Sequence, residues 1–100
     1  MKRFAVSFST EAIAHVEQIH RWWETYRTAA PRLFREELAA AIEQLCTFPE
    51  SGVEYPGSPQ ARRVFLARTR YYLYYVLDAS SETIQVQAVW HVGRGKGPRL

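Results

Sequence analysis

The sequence predicts an α+β fold in the order β-α-α-β-β-β, with a helical hairpin packed on one face of a small sheet. Three observations predict it. An opening stretch alternates with period two, two following stretches carry apolar residues at three-and-four spacing, and the last forty residues return to alternation with short breaks. At 100 residues the chain makes one domain, spanning 1–100. Its hydrophobic fraction of 47% and aromatic fraction of 14% support a packed core and exclude a disordered chain.

The elements follow in order. "RFAVSF" (3–8) sets Phe4, Val6 and Phe8 against Arg3, Ala5 and Ser7, the pattern of a half-buried strand. Ser9 and Thr10 offer an N-cap, and Glu11 sits where the helix dipole favours an anion. Ile13, Val16, His20, Trp23 and Arg27 then mark a helix over roughly 10–27. "TAAPR" interrupts it, and Pro31 is tolerated in the first turn of a second helix. Phe34, Leu38, Ala41, Ile42 and Leu45 form that helix's apolar stripe, and "TFPESG" ends it at Pro49.

"VEYPGSPQ" (53–60), with two prolines and a glycine, reads as a loop. "ARRVFLA" (61–67) then places Val64 and Leu66 on one face, Arg63 and Phe65 on the other. "RYYLYYVLD" (70–78) divides Tyr71, Leu73, Tyr75 and Leu77 from Tyr72, Tyr74 and Val76. "TIQVQAVWH" (83–91) divides Ile84, Val86, Ala88 and Trp90 from Gln85, Gln87, Val89 and His91. Short turns join these three strands, so an antiparallel meander is expected. Residues 91–100, rich in glycine and cations, are expected to form a flexible basic tail.

Charge is unevenly placed. Residues 1–50 hold six Lys/Arg and seven Asp/Glu, whereas residues 51–100 hold seven and three, which accounts for the net +3. Arg62, Arg63, Arg68 and Arg70 crowd one short stretch and suit an acidic protein or a polyanion, although a solvated positive face has the same composition. Cys46 stands alone, so no internal disulfide is possible; it reads as a small buried hydrophobe in a reducing, cytoplasmic setting. The N-terminus has too short an apolar run for a signal peptide, and no stretch approaches a membrane span.

Most catalytic signatures are absent. His15 and His20 lie five apart rather than four, there is no HExxH, and no metal or cofactor is expected. "GRGKGP" follows a strand but opens no helix, so it does not cradle a nucleotide. The serines lie in caps and loops without a nucleophile elbow, and the sheet half holds only Asp78 and Glu82 near a turn. Two options remain on the sheet face left open by the helices. In metal-free RNA cleavage, His91 would serve as base or acid, Arg63 and Arg94 would stabilise charge, and Tyr72 or Tyr74 would stack a base or donate a proton. In the second, Arg63, Phe65, Tyr72, Tyr74, His91 and Arg94 form a recognition surface without turnover.

The strand "FAVSFSTEA", the hairpin end "LCTFPESG", the pair "RRVFLARTRYYLYYVLD" and the last strand "IQVQAVWHVGRG", in that order, resemble the RelE/ParE superfamily of toxins from bacterial type II toxin–antitoxin modules. The resemblance implies the same element order and a growth-inhibiting toxin. It implies neutralisation by a cognate antitoxin whose acidic or amphipathic segment folds on binding. Operator DNA would be met only through that antitoxin. Two branches differ in target: RelE-like members cleave mRNA on the ribosome, and ParE-like members inhibit DNA gyrase. Arg63 matches the first basic position of the nuclease branch, but Phe65 and Tyr72 stand where further cations belong, and no tyrosine follows Arg94 and Lys96. These departures favour the ParE-like side and gyrase binding. The alternatives are a ribosome-dependent nuclease using His91 and Arg63, and a degenerate toxin acting only as an antitoxin-bound corepressor.

Overall fold

The computed structural model describes residues 2–100. Strand β1 (Ala5–Phe8) leads into helices α1 (Thr10–Tyr26) and α2 (Leu33–Thr47), followed by β2 (Val53–Tyr55), β3 (Ser58–Leu66), β4 (Tyr71–Asp78), β5 (Thr83–His91) and a 3-10 turn (Val92–Arg94). The five strands lie in the order β1-β5-β4-β3-β2. β1 runs parallel to β5, and the other neighbours are antiparallel. The α+β class, the helical hairpin and the meander are as expected, and β1 completes the sheet beside β5.

Ser9 is the α1 N-cap, its Oγ accepting from the Ala12 N–H at 3.1 Å. Pro31 lies in the turn before α2 rather than in its first turn. Pro49 closes α2 because the residue before a proline is pushed out of helical geometry, and Phe48 sits at φ −124°, ψ 71°. The stripe residues Phe34, Leu38 and Leu45 meet Leu73, Tyr75, Ile84 and Val86 in one core between helices and sheet. Cys46 is buried, as its composition suggested.

Two expectations about the strands fail. The segment 53–60 is not a loop: β2 pairs with the start of β3 through Val53–Arg63 and Glu54–Arg62, with a shift in register at Glu54/Tyr55. Its prolines fit because they fall at the turn and at the irregular start of β3 on the sheet edge, where a missing N–H costs no ladder bond. The second failure is the unbroken alternation of β5. Tyr74 pairs with Ala88 and Tyr75 with Val86, leaving Gln87 as an extra residue in a bulge. One inserted residue exchanges the faces of everything beyond it. Ala88 and Trp90 therefore share the open face with Tyr74 and Tyr72, and Val89 and His91 share the helix-covered face with Leu73 and Tyr71.

The bulge sits where β1 stops. β1 pairs last at Phe8–Val86, and α1 then supplies the missing partners. Ser9 Oγ donates to the Gln87 carbonyl at 3.2 Å, and His15 Nδ1 accepts from the Val89 N–H at 3.3 Å. That bond needs a neutral imidazole. Burial, and then the nearby Arg94 guanidinium, push His15 below its ordinary value of 6.5, with Glu11 opposing. A group held neutral in the fold but protonated when unfolded contributes stability that is fully present above the unfolded pKa. That contribution is lost as pH falls through about 6.5 and levels off below the folded value. The urea midpoint is accordingly expected to drop between pH 7.5 and 5.5, and to drop less in His15→Asn, the difference isolating His15 from His20 and His91.

Candidate target-binding surface

The open face is built from alternate residues of four strands. β3 contributes Arg63 and Phe65, opposite Tyr74 and Tyr72 of β4, and β5 adds Trp90 opposite Tyr72. β2 adds Tyr55, whose ring meets Tyr74 edge-on at 4.8 Å. Arg63 is the centre. Its guanidinium lies 4.2 Å above the Tyr72 ring and 5.4 Å from that of Tyr55, and its Nη1 reaches the Tyr74 hydroxyl at 3.5 Å. Phe65 packs beside Tyr72 at 5.1 Å and remains exposed. A planar cation between ring faces gains from their quadrupoles, by ~0.5–2 kcal/mol depending on desolvation.

Tyr74 is enclosed, not open as its face suggested, because Tyr55 and Arg63 cover it. Burial raises its phenol pKa and Arg63 only partly opposes this, so it stays protonated at neutral pH. Val89 is also buried, since the bulge turns it into the core.

The last residues are not a free tail. Trp90 Nε1 donates to the Lys96 carbonyl at 2.7 Å, and the Tyr55 hydroxyl donates to the Pro98 carbonyl at 3.4 Å. Pro98 is buried. Arg94 lies with its guanidinium 3.8 Å above Trp90 rather than moving freely. Two glycines permit this path. Gly95 takes φ +77°, and a Cβ on Gly97 would fall 2.0 Å from the Tyr55 hydroxyl. The chain thus folds back over part of the ring surface, narrowing it to a cleft of about 130 Å³ beside Arg63, Tyr72 and Trp90.

His91 lies at the strand end between the two faces, lining both the cleft beside Arg63 and the groove on the helix side. Its ring meets Tyr71 edge-on at 5.0 Å on the helix side, and its Nδ1 accepts the Gly93 N–H at 2.9 Å, capping the 3-10 turn. Of the six residues expected to converge, Arg63, Phe65, Tyr72 and Tyr74 form one cluster, Arg94 adjoins it through Trp90, and His91 borders its cleft with the ring turned to Tyr71. Sequence reasoning missed Tyr55 and Trp90. Tyr55 was hidden by the prolines around it. The available signal for Trp90 was the three consecutive apolar residues Ala88, Val89 and Trp90, which break strict alternation.

On the other side, α1, the β3–β4 turn and the end of β5 enclose a second, larger groove of about 550 Å³. Its turn is fixed by Glu37, whose carboxylate accepts from the Arg68 N–H at 2.7 Å, the Thr69 N–H at 2.9 Å and the Thr69 hydroxyl at 2.6 Å. Among the described residues there is no cluster of His, Cys, Asp and Glu that could hold a metal, and no helix is long and apolar enough to cross a membrane.

This architecture is that of the RelE/ParE toxins. A structure of the chromosomal ParDE toxin–antitoxin system from P. aeruginosa superposes with a TM-score of 0.73 at 14% identity, covering 90% of this chain and 97% of that one. The isolated RelE toxin of E. coli gives 0.62 at 18% identity, over 93% and 88%. The toxin–antitoxin complex RelBE of E. coli gives 0.50 at 15% identity, over 91% and 99%. No curated protein sequence is significantly similar. Residues 6–95 match the family described as the ParE toxin of the type II toxin–antitoxin system parDE, and the chain belongs to that family.

Proposed function

We propose that this toxin acts by binding and poisoning DNA gyrase, and that a cognate antitoxin holds it inactive. The observation that carries the reading is the bulge at Gln87. It turns the His91 ring edge-on to Tyr71, so that guanidinium groups, phenols and an indole dominate the open face, with His91 at the border of its cleft. Tyr74 stays protonated, and Arg63 is held against three tyrosines. Such a set of ring faces and guanidinium groups suits recognition of a partner. The similar structures include a ParDE toxin–antitoxin system and a RelBE toxin–antitoxin complex, which supports the antitoxin as partner.

The test is a supercoiling assay with purified toxin and gyrase. Supercoiling is expected to fall with toxin dose and to recover on adding antitoxin. Undiminished supercoiling at saturating toxin, together with codon-positioned mRNA cuts in primer extension after brief expression, would replace this reading with ribosome-dependent cleavage.

A further inference from the structure

We propose that one end of the sheet, where the β3–β4 turn meets the end of β5, carries a cationic band that contacts the phosphate backbone of duplex DNA. The inference deepens the gyrase reading and rests on it for its setting: the open face meets the protein, and the band meets the duplex that the protein holds. On the helix side, Arg27, Arg68 and Arg70 line the larger groove, and no carboxylate does. On the other side, Arg63 and Lys96 line the cleft. His91 lines both, so the two sets of cations are continuous around the end of β5. Arg70 joins them, its guanidinium lying 5.9 Å from the Phe65 ring of the open face.

This charge is free. The ion pairs among the described residues engage Lys2, Arg3, His20 and Arg21, and leave the cations of the band without an acidic partner. Glu37, the carboxylate beside the turn, accepts from the turn backbone and from Thr69. Arg27, Arg68, Arg70 and Lys96 are all exposed. Acids stand instead at the opposite end of the strands, where Asp78 closes β4 and Glu82 precedes β5. The sheet is therefore polarised along its strands, which steers a polyanion to the cationic end.

The ring faces on the helix side decide which polyanion fits. Trp23 and Tyr71 are covered, at 8% and 7% exposure. Trp22 is 41% exposed, but the Arg27 guanidinium already lies 4.8 Å over its ring. A single strand binds by stacking its bases on open rings, and this groove offers none. A duplex keeps its bases stacked and presents phosphates, which is what free guanidinium groups meet. Such contacts position the molecule without reading sequence.

The test is a titration of full-length toxin into a fluorescein-labelled DNA duplex of about 20 base pairs, followed by anisotropy between about 50 and 200 mM salt, with circular dichroism as the folding control. Wild-type toxin is expected to bind with a Kd of about 1–100 µM at physiological salt, weakening steeply as salt rises. Arg27→Gln/Arg68→Gln/Arg70→Gln is expected to flatten the slope of log affinity against log salt by about 2–3, since each phosphate contact contributes ~0.9, and to weaken binding at low salt at least about tenfold. Arg21→Gln/Arg32→Gln/Arg35→Gln removes the same charge from exposed positions of α1 and α2 outside the band, and affinity within about threefold of wild type is expected. If the band variant fails to fold, Arg27→Gln/Arg70→Gln takes its place, with the slope flattened by about 2. In the supercoiling assay the band variant is expected to lose at least about fivefold in potency, because the duplex contact adds to the contact with the protein. Equal weakening in both triple variants overturns the proposal, as does wild-type toxin that leaves the duplex anisotropy unchanged at low salt. Tighter binding of a single-stranded RNA of the same length than of the duplex also overturns it, and so does undiminished potency of the band variant against gyrase. The titration contains no gyrase, so its failure leaves the gyrase reading standing. Undiminished supercoiling with wild-type toxin, beside the expected titration, removes that reading and keeps the band.

Discussion

Arg63→Glu is expected to weaken gyrase inhibition by about 30-fold to about 1,000-fold while the protein stays folded. Arginine anchors at the centre of an interface typically contribute ~2–4 kcal/mol, and each ~1.4 kcal/mol is a decade in affinity. Arg63 has the properties of such an anchor. It is held between Tyr72 and Tyr55 with its Nη1 toward Tyr74, so little freedom remains to be lost on binding. A carboxylate there faces the negative ring faces and reverses the local field. The fold should survive, because the core contacts of β3 come from Ala61, Val64 and Leu66. The melting temperature is expected to fall by no more than about 10 °C, given ~4–8 °C per kcal/mol for a domain of this size. Arg63→Lys keeps the charge but loses the planar stack, and an intermediate potency is expected. Arg35→Glu on the outer face of α2 provides the control, with potency unchanged. Full inhibition by a folded Arg63→Glu toxin would remove the open face from the mechanism.

The way this surface is assembled explains which parts were legible. Periodicity placed α1, α2, β3 and β4 within a few residues, because each buries one face over many residues and the pattern is long. It also paired Arg63 with Phe65, and Tyr72 with Tyr74, because both strands keep strict register through those positions. β2 was illegible because it is three residues long and is made of paired backbone on a sheet edge, with no repeating pattern of its own. His91 was misplaced for a different reason. A face assignment is a running parity, and Gln87 changes the parity without changing the composition around it. What fixes the bulge is far away in sequence, in Ser9 and His15 at the start of α1, so no local window contains it. The terminal segment was misread because glycines imply freedom until a partner is known. Here Gly97 is the residue that lets the chain pass close to Tyr55.

Tyr75→Ala is expected to cost about 3–5 kcal/mol, as for other large buried aromatic truncations, against a typical total of ~5–15 kcal/mol. Tyr75 is fully buried between the helices and the sheet, at 0% exposure. Its hydroxyl donates to the Pro49 carbonyl at 2.7 Å and accepts from the Gly52 N–H at 2.9 Å. The ring thus fills the core while its polar tip fastens the loop between α2 and β2. Gly52 is required there, since an added Cβ would fall 2.5 Å from that hydroxyl. Tyr75→Phe separates the two roles. It keeps the ring and leaves a part-buried carbonyl and a buried N–H without their partner, a loss of ~1–3 kcal/mol. The consequence reaches the binding surface. Arg62 also bonds the Gly52 carbonyl, at 2.9 Å, and β2 carries Tyr55, one wall of the Arg63 site. In Tyr75→Phe, amide exchange should therefore quicken first in β2 and the preceding loop, and inhibition should weaken although no contact residue has changed. Denaturant titrations measure the two losses, and native-state hydrogen exchange maps them. A Tyr75→Phe toxin with wild-type stability and unchanged exchange in β2 would mean that the hydroxyl is a bystander and that the loop is held by β3 alone.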